Sequence, residues 1–273
     1  MSEEAQRNSS TENPGGPREL WFESDGTRLF AVESGRGRPI ILLHGGLANH
    51  LVCLPLVGLL PSRFRVITPD LRSSGKSVDG RPLTWDRLAD DVAALMRQLG
   101  AEKAVVGGVS SGSGAALRFA LRYPEKTAAL VVVTPVYGGE ERGLSAQQAA
   151  TFQMMDAAGS RAPAEGVQVL RPLFEHLPPP IREKALAMLD GFDAASVAAT
   201  TKFIASGAQP FATTADLRGL KVPTLLNPGN DPMHPAEVSN LYAAHIPNCT
   251  VSEPQVADRP TVIGDFCERS AAW

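Results

Sequence analysis

Ser110 is the side chain whose place in the sequence best suits nucleophilic catalysis. It is the central residue of the pentapeptide GVSSG (residues 108–112), in which one glycine stands two places before it and another two places after it. A short apolar run precedes this pentapeptide, and a helical pattern that extends to Arg122 follows it. A serine on such a strand-to-helix turn has an exposed hydroxyl beside the positive, N–H-rich end of the helix. The motif predicts a nucleophile, and the structural alternative is an ordinary Gly/Ser turn.

The segment HGGL (residues 44–47) is the second candidate part of a site, and it follows the apolar run PIILL. A backbone N–H group of this segment can face the serine turn and, with the N–H group of Ser111, bind an oxyanion. Ser111 is less suited to be the nucleophile itself, because Val109 occupies the place where the motif requires glycine. His44 is expected to tie its loop to neighbouring backbone, the alternative being a catalytic base.

A serine hydroxyl is a weak nucleophile unless a neighbouring base accepts its proton, so the histidines decide how this site could work. The sequence contains five: His44, His50, His176, His234 and His245. His234 is the best candidate for the base, because it follows Asp231 by three residues in a loop after the apolar run VPTLL. His50 could border a pocket, and His176 could reach it from a helical segment. The alternative interpretation of His234 is a loop histidine without a catalytic role.

The candidate residues follow short apolar runs that alternate with helical patterns, which predicts an α/β protein with a parallel sheet and crossover helices. The predicted strands are residues 39–43, 64–68, 103–106, 129–133, 222–226 and, more weakly, 250–252. A β-hairpin around Asp25-Gly26 is predicted to precede them. Helices are predicted over 84–100, from the serine turn to 122, and over 235–244.

Residues 138–212 contain helical patterns and no strand, and they are predicted to form a lid over the edge of the sheet where ligands bind. Four helices are expected there, near 146–158, 166–176, 181–189 and 194–205. The core then comprises residues 19–137 and 213–273, and the polar residues 1–18 are predicted to be a disordered leader. The large apolar lid residues could line a substrate pocket or pack the lid itself; they include Met154, Met155, Phe174 and Phe203.

Four segments in this order, HGG, PDLRSSGKS, GGVSSGSG and NPGNDPMHP, resemble the α/β-hydrolase fold superfamily, in particular its lidded esterases, lactonases and C–C hydrolases. The resemblance covers roughly residues 19–270. It implies a mostly parallel, doubly wound sheet with a helical lid between two late strands. It also implies Ser110 as nucleophile, Asp231 as the acid of a triad, and the N–H groups of Gly46 and Ser111 as the oxyanion hole.

The sequence departs from this family's pattern at two places. Ser73 stands where the family commonly has glycine, which is a minor difference. The family's catalytic histidine follows the last strand, but residues 253–260 contain no histidine and none follows His245. The first hypothesis is therefore a serine hydrolase of a small ester, lactone or related acyl compound, with His234 or water as base. The alternative is a triad-deficient member that binds a ligand or catalyses a non-hydrolytic reaction such as that of a lyase or cyclase.

Other function classes are disfavoured by composition and motifs. The formal net charge of -3 and the absence of a basic run argue against nucleic-acid or membrane partners. The segment DLRSSGKS (70–77) lacks the spacing of a nucleotide-binding loop and is interpreted as a loop shaped by Arg72 and Gly75. The three cysteines fit neither a disulfide framework nor a zinc site. We expect a cytoplasmic protein that acts on a small molecule without metal or cofactor, its oligomeric state being left open.

Overall fold

The computed structural model describes residues 17–54, 59–60, 63–253 and 259–273. The predicted leader, residues 1–18, lies outside the described residues except for its last two. The second of these, Arg18, already belongs to the first strand, so the core begins one residue earlier than expected.

Eight strands form one mixed sheet in the described part of the chain. Their bounds are Arg18–Ser24 (β1), Thr27–Gly35 (β2), Arg38–Leu43 (β3), Phe64–Pro69 (β4), Ala104–Val109 (β5), Thr127–Val133 (β6), Thr224–Asn227 (β7) and Cys249–Val251 (β8). The spatial order is β1-β2-β4-β3-β5-β6-β7-β8. The pairs from β4 to β8 are parallel, whereas β1–β2 and β2–β4 are antiparallel. The predicted mostly parallel sheet and its leading hairpin are confirmed.

The central strands are buried on both faces, which explains their continuous apolar runs. In β3, Ile41 and Leu43 pack into the larger core cluster on one face of the sheet. Ile40 and Leu42 point the other way and pack into a second cluster. Helices cover both faces, as a doubly wound sheet requires.

The helices that position the site are Trp85–Leu99 (α1), Ser111–Arg122 (α2), Ala146–Gly159 (α3), Ala162–Glu165 (α4), Arg171–Glu175 (α5), Pro179–Met188 (α6), Ala194–Ala205 (α7), Thr214–Gly219 (α8), Ala236–His245 (α9) and Arg259–Ser270 (α10). The predicted ends of α1 are confirmed: the Thr84 side chain accepts a hydrogen bond from Arg87 N, and Gly100 adopts the left-handed conformation with φ 63°. The Thr84 side chain thus pairs an N–H group at the start of the helix, and the N–H of Gly100 pairs with Arg97 O at its end. Both kinds of group lack a partner within the helix.

The last helix, α10, was not predicted from the sequence. Its side chains at Ile263, Phe266 and Cys267 are buried in the second core cluster. Their spacing of three and four residues is the signal that could have revealed it. Pro260 lies in the first turn, where proline is tolerated, but Gly264 lowers the helical propensity of the interior, so packing against the sheet must help to stabilise this helix.

Five helices, α3 to α7, lie between β6 and β7 in residues 138–212, here called the insertion. The helices expected near 146–158, 181–189 and 194–205 lie within two residues of their predicted ends, and the segment near 166–176 is a 3-10 turn followed by α5. The insertion has an apolar cluster of its own, to which Leu170, Phe174 and Leu189 contribute. Helix α7 also bonds to the core, since Thr200 Oγ1 donates to Ser73 O at 2.9 Å.

Within the described ranges, we find no helix that combines the length and the apolar character needed to cross a membrane.

Candidate active site

The loops that carry the candidate residues meet at the carboxyl end of the sheet. Ser110 directly follows β5, the segment 44–47 follows β3, and the loop with Asp231 and His234 follows β7. Because β3 lies beside β5, and β7 is separated from β5 by β6 alone, the carboxyl ends of these parallel strands bring their loops together. Open α/β sheets bind their ligands at this edge.

Ser110 occupies a tight turn between β5 and α2. Its φ of 55° and ψ of -121° lie outside the regions that residues other than glycine ordinarily adopt. Its amide donates to Val133 O at 3.0 Å, and its carbonyl accepts from Ser113 N at 2.9 Å. The flanking glycines are sterically required: a Cβ on Gly108 would lie 2.2 Å from Gly112 O, and one on Gly112 would lie 2.3 Å from His44 O. The GVSSG pattern therefore reflects the close approach of three backbone segments.

His234 contacts both of the groups that a serine triad would need. Its Nε2 lies 3.0 Å from Ser110 Oγ. Its Nδ1 lies 3.0 and 2.9 Å from the two carboxylate oxygens of Asp231. A carboxylate only accepts, so Nδ1 carries the ring proton and Nε2 is left with a lone pair for the serine hydroxyl.

The short spacing between Asp231 and His234 is accommodated by a turn that folds back on itself. His234 N donates to Asp231 O at 3.1 Å, and the two residues form an isolated antiparallel bridge. The carboxylate Oδ1 of Asp231 also accepts from Met233 N at 2.8 Å and from His234 N at 3.0 Å. These local bonds turn the imidazole back onto the carboxylate three residues before it.

Asp231 is placed to hold a negative charge beside the imidazole. Its side chain is 52% exposed, whereas that of His234 is 21% exposed. Partial burial tends to raise the pKa of Asp231, but the hydrogen bonds from His234 and from the Met233 amide outweigh it, so the pKa lies below its usual value. The carboxylate therefore stays ionised at neutral pH and remains an acceptor for the Nδ1–H group of His234.

Gly46 and Ser111, the predicted oxyanion pair, lie side by side next to Ser110. A Cβ built on Gly46 would be 3.3 Å from Ser111 Oγ, and one built on Gly45 would be 3.3 Å from Ser110 Cβ. Ser111 is the first residue of α2, where backbone N–H groups have no acceptor within the helix. The arrangement can present two N–H groups to an oxygen that develops charge beside Ser110.

Among the described residues, none of the other four histidines is hydrogen-bonded to Ser110. His44 is buried, donates from Nδ1 to Gly45 O at 2.7 Å and accepts from Leu71 N at Nε2 at 2.9 Å. Burial lowers the pKa of His44, which keeps it neutral in the structural role expected from the sequence. His50 bonds through Nδ1 to the buried Asp70 at 2.8 Å. His176 is exposed in the insertion, and His245 lies at the end of α9.

A family model for the alpha/beta hydrolase fold matches residues 38–258. The chain belongs to this family. The AB hydrolase superfamily protein YisY of Bacillus subtilis is 41% identical over 99 residues, which are 35% of this chain and 36% of that protein. The putative carbamate hydrolase RutD of Caulobacter vibrioides is 39% identical over 100 residues, which are 36% of this chain and 37% of that protein. The match thus spans little more than a third of these curated relatives.

The solved structures confirm the fold over nearly the whole chain. A thermophilic esterase from Thermogutta terrifontis superposes with a TM-score of 0.74 at 24% identity, over 92% of this chain and 97% of that chain. The resemblance to α/β hydrolases inferred from the sequence motifs is confirmed by both comparisons.

In this α/β hydrolase, the histidine beside the serine comes from the loop after β7. The segment after β8, where the family pattern places it, contains no histidine, and residues 254–258 of that segment lie outside the described residues. The sequence predicted His234 as the candidate base because it follows Asp231 by three residues in the loop after the apolar run VPTLL. The structure supplies the contact with Ser110, which the sequence left open.

A small cavity beneath α7 adjoins residues 44–47, the candidate oxyanion segment. It has a volume of about 30 Å³. Its walls include Gly46, Ser111, Trp85, Phe203 and Ile204. Of the apolar insertion residues singled out in the sequence, Phe203 is the one that lines this cavity.

The remaining apolar residues of the insertion have other surroundings. Phe174 packs inside the insertion's own cluster, Met155 packs against that cluster and the main core, and Met154 is 57% exposed. Sequence reasoning overlooked Trp85 and Ile204. Ile204 sits one residue after Phe203, in a segment that was already predicted to be helical.

Arg72 also borders the cavity, but its guanidinium is fully engaged. Nε and one Nη2 proton bond to Asp91, Nη1 bonds to Asp79 and Thr27, and the second Nη2 proton goes to Ser24 O. These bonds use all five donors of the side chain. Arg72 therefore holds the loop after β4 in place, as the sequence suggested, and has no donor left for a substrate carboxylate.

The thiols are poor candidates for a second nucleophile. Burial raises the pKa of Cys53 and Cys267 to about 12 and that of Cys249 to about 11, so all three stay protonated at neutral pH. Among the residues that the structure describes, no group of three or more His, Cys, Asp or Glu side chains is arranged to bind a metal ion.

Proposed function

We propose that this chain is a serine hydrolase of small esters, lactones or related acyl compounds, with Ser110, His234 and Asp231 as its triad. The single observation that carries the proposal is the 3.0 Å contact between His234 Nε2 and Ser110 Oγ. It joins a nucleophile on a strand-to-helix turn to a base that an ionised carboxylate orients. The names of similar proteins, an esterase and a putative carbamate hydrolase, point to the same class of acyl chemistry.

The proposed reaction has two halves and uses protein groups alone. Ser110 Oγ attacks the carbonyl carbon of the substrate while His234 Nε2 accepts the hydroxyl proton. The N–H groups of Gly46 and Ser111 stabilise the oxyanion of the tetrahedral intermediate. The intermediate collapses as His234 returns the proton to the leaving oxygen, which leaves an acyl-serine. Water then attacks the acyl carbon as His234 accepts its proton. The bond from the acyl carbon to Ser110 Oγ breaks, His234 returns the proton to Oγ, the carboxylic acid leaves, and Asp231 stays ionised throughout.

The size of the cavity suggests that the acyl group is short. A cavity of about 30 Å³ holds about two to three water-sized groups, since one water needs roughly 10–15 Å³ of such volume. Its position beside Gly46 and Ser111 suits the acyl chain of a substrate whose carbonyl oxygen lies in the oxyanion hole. We therefore expect acetyl and propionyl esters to be better substrates than longer ones, with the insertion acting as a lid over them.

The alternative from the sequence, a triad-deficient binding protein or a non-hydrolytic enzyme, rested on the missing histidine after the last strand. It would leave Ser110 without a base. The contact from His234 removes the reason for preferring it, so the hydrolase is the function that the geometry favours.

Two variants and one control test the proposal with p-nitrophenyl acetate and a fluorophosphonate probe. Ser110→Ala should abolish turnover and labelling, because it removes the attacking oxygen. His234→Ala should lower kcat/KM by roughly 10²–10⁴-fold, the usual contribution of a general base. His176→Ala, on the exposed surface of the insertion, should match the wild type in both assays. Wild-type turnover in Ser110→Ala would show that Ser110 is not the nucleophile.

A further inference from the structure

The candidate base is held by a very short turn, so the contacts that fix this turn determine where the imidazole lies. Inside the turn, the amides of Met233 and His234 are bound by Asp231 Oδ1. On one side, the backbone of His234 rests against Gly229, where an added Cβ would lie 2.3 Å from His234 O. These contacts do not involve the carbonyl of Met233. This carbonyl belongs to the peptide group whose nitrogen is that of His234.

The side chain of Gln148, from the first helix of the insertion, bonds to that carbonyl. Gln148 Nε2 donates to Met233 O at 3.0 Å and also to Val136 O at 3.0 Å. Val136 follows β6 by three residues and is buried in the main core cluster. The amide of Gln148 thus bridges the core and the histidine turn, and its residue is only 2% exposed.

Gln148 also has a second, separable role at the start of α3. Its side-chain Oε1 accepts from Ser145 N at 3.0 Å, while the backbone N–H of Gln148 donates to Ser145 Oγ at 3.2 Å. This reciprocal pair is a capping box. The cap uses the oxygen of the side-chain amide, and the bridge uses the nitrogen.

We propose that Gln148 is a positioning residue that fixes His234 relative to Ser110 by clamping the Met233 carbonyl to the core. The inference rests on the proposed hydrolase function. A peptide group held at both its carbonyl and its N–H has a fixed plane, which fixes the direction of the following side chain. Misplacing a reacting group by about 1 Å can cost about 10²-fold in rate, so the two bonds from Nε2 matter for turnover. The same amide links the insertion to the base.

Gln148→Glu separates the two roles. Burial raises the pKa of a carboxyl group, so the assay is run at about pH 9, where the group is ionised. The carboxylate then keeps an oxygen for Ser145 N, so the cap of α3 survives, but it has no proton to donate to Met233 O or Val136 O. We expect kcat per active site to fall about tenfold or more, with KM for p-nitrophenyl acetate little changed. Counting active sites by complete fluorophosphonate labelling of Ser110 removes any contribution from misfolded protein.

Ser145→Ala is the matched control, because it removes the hydroxyl of the cap and leaves both donors of Gln148 intact. It should lower the melting temperature while kcat per labelled site stays as in the wild type. The Gln148→Glu change should also have no further effect in a His234→Ala background, since it acts through the imidazole.

Three results would overturn the positioning role. One is a Gln148→Glu enzyme with kcat per labelled site within about twofold of the wild type, a change too small for a displaced base. Another is an equal loss in Ser145→Ala, and the third is an undiminished loss in the His234→Ala background. Failure of the hydrolase function has a different signature, namely turnover that survives in Ser110→Ala.

Discussion

Ser110 and His234 meet because two short backbone segments adopt special conformations. The φ of 55° at Ser110 lies in a left-handed region that costs a non-glycine residue about 1–2 kcal/mol. The turn from Asp231 to His234 is closed by bonds from its own carboxylate. Strained conformations of this kind persist where surrounding contacts hold the backbone in place. Here the conformation of Ser110 points its hydroxyl group out of the turn towards the imidazole.

Asp231→Asn tests whether the carboxylate sets the tautomer of His234. In the wild-type protein, His234 Nδ1 donates to Asp231, which leaves Nε2 free to accept the serine proton. An asparagine amide can donate to Nδ1 instead, which moves the ring proton to Nε2 and removes the base. We expect kcat/KM for p-nitrophenyl acetate to fall roughly 10³–10⁴-fold. Asp190→Asn, exposed in the insertion, is the matched control, and equal kinetics in both variants would contradict the role.

The same variant has a consequence for pH dependence. The pKa of Asp231 is below its usual value of 3.8, because the bonds from His234 and Met233 outweigh partial burial. Ionised Asp231 therefore contributes stability that is present above pH 3.8 and is lost as the pH falls through the lower folded pKa. Urea unfolding at pH 3 and pH 7 should show a smaller acid loss of stability in Asp231→Asn than in the wild type.

At the scale of elements, α7 determines the shape of the space beside the oxyanion segment. Phe203 packs edge-on against Trp85 with ring centroids 4.9 Å apart. The Cδ1 methyl of Ile204 comes so close to Gly46 that an added Cβ there would lie 2.7 Å from it. A side chain at position 46 would force the Ile204 side chain to shift, so glycine at this place leaves the room that Ile204 occupies.

Ile204→Val removes the methyl group that faces Gly46 and should widen the acyl cavity. Because one methylene in an apolar pocket changes selectivity by about 10-fold or more, the kcat/KM ratio of propionyl to acetyl esters should rise by at least about tenfold. The expected cost in stability is about 0.5–1.5 kcal/mol. Met154→Ala, on the exposed side of the same insertion, should leave the ratio unchanged. A constant ratio in Ile204→Val would mean that the cavity does not hold the acyl chain.

At the scale of the whole molecule, the buried guanidinium of Arg72 joins parts of the chain that are distant in sequence. It binds Asp79 in a loop, Asp91 in α1, and Ser24 O and Thr27 at the first hairpin. The loop after β4 is thereby fixed under α7, close to the cavity. This network positions one wall of the site without offering a group to the substrate.

Arg72→Met should strongly destabilise the protein, because it leaves the buried carboxylate of Asp91 without its cation, whereas Asp79 keeps its pair with Arg81. We expect a loss of about 3–5 kcal/mol in the free energy of unfolding, measured by urea denaturation. Arg118→Met is the matched control, since it breaks a partly exposed ion pair with Asp86. That pair should contribute about 0–1 kcal/mol. Equal losses in the two variants would contradict the structural importance of the buried network.

The sequence alone determined the sheet, most of its helices and the strand-to-helix turn that carries Ser110. Strands buried on both faces must be apolar at every position, so their runs can be recognised without knowledge of their neighbours. Gly108 and Gly112 are required by contacts that any such strand-to-helix turn makes, and this local requirement marks Ser110. The helix α10 escaped prediction because its stability depends on packing against the sheet rather than on its own propensity.

The tertiary structure alone decided which base meets the serine and how large the pocket is. His234 is 124 residues from Ser110, and the two meet only because β7 lies two strands from β5 in the sheet. The spacing between Asp231 and His234 makes His234 a candidate base. A spacing of three residues does not by itself determine whether the turn between them closes. Closure depends on hydrogen bonds within the turn and on Gln148, a residue of the insertion. Contacts between distant segments leave no periodic signal in a sequence, because they depend on where the folded elements cross.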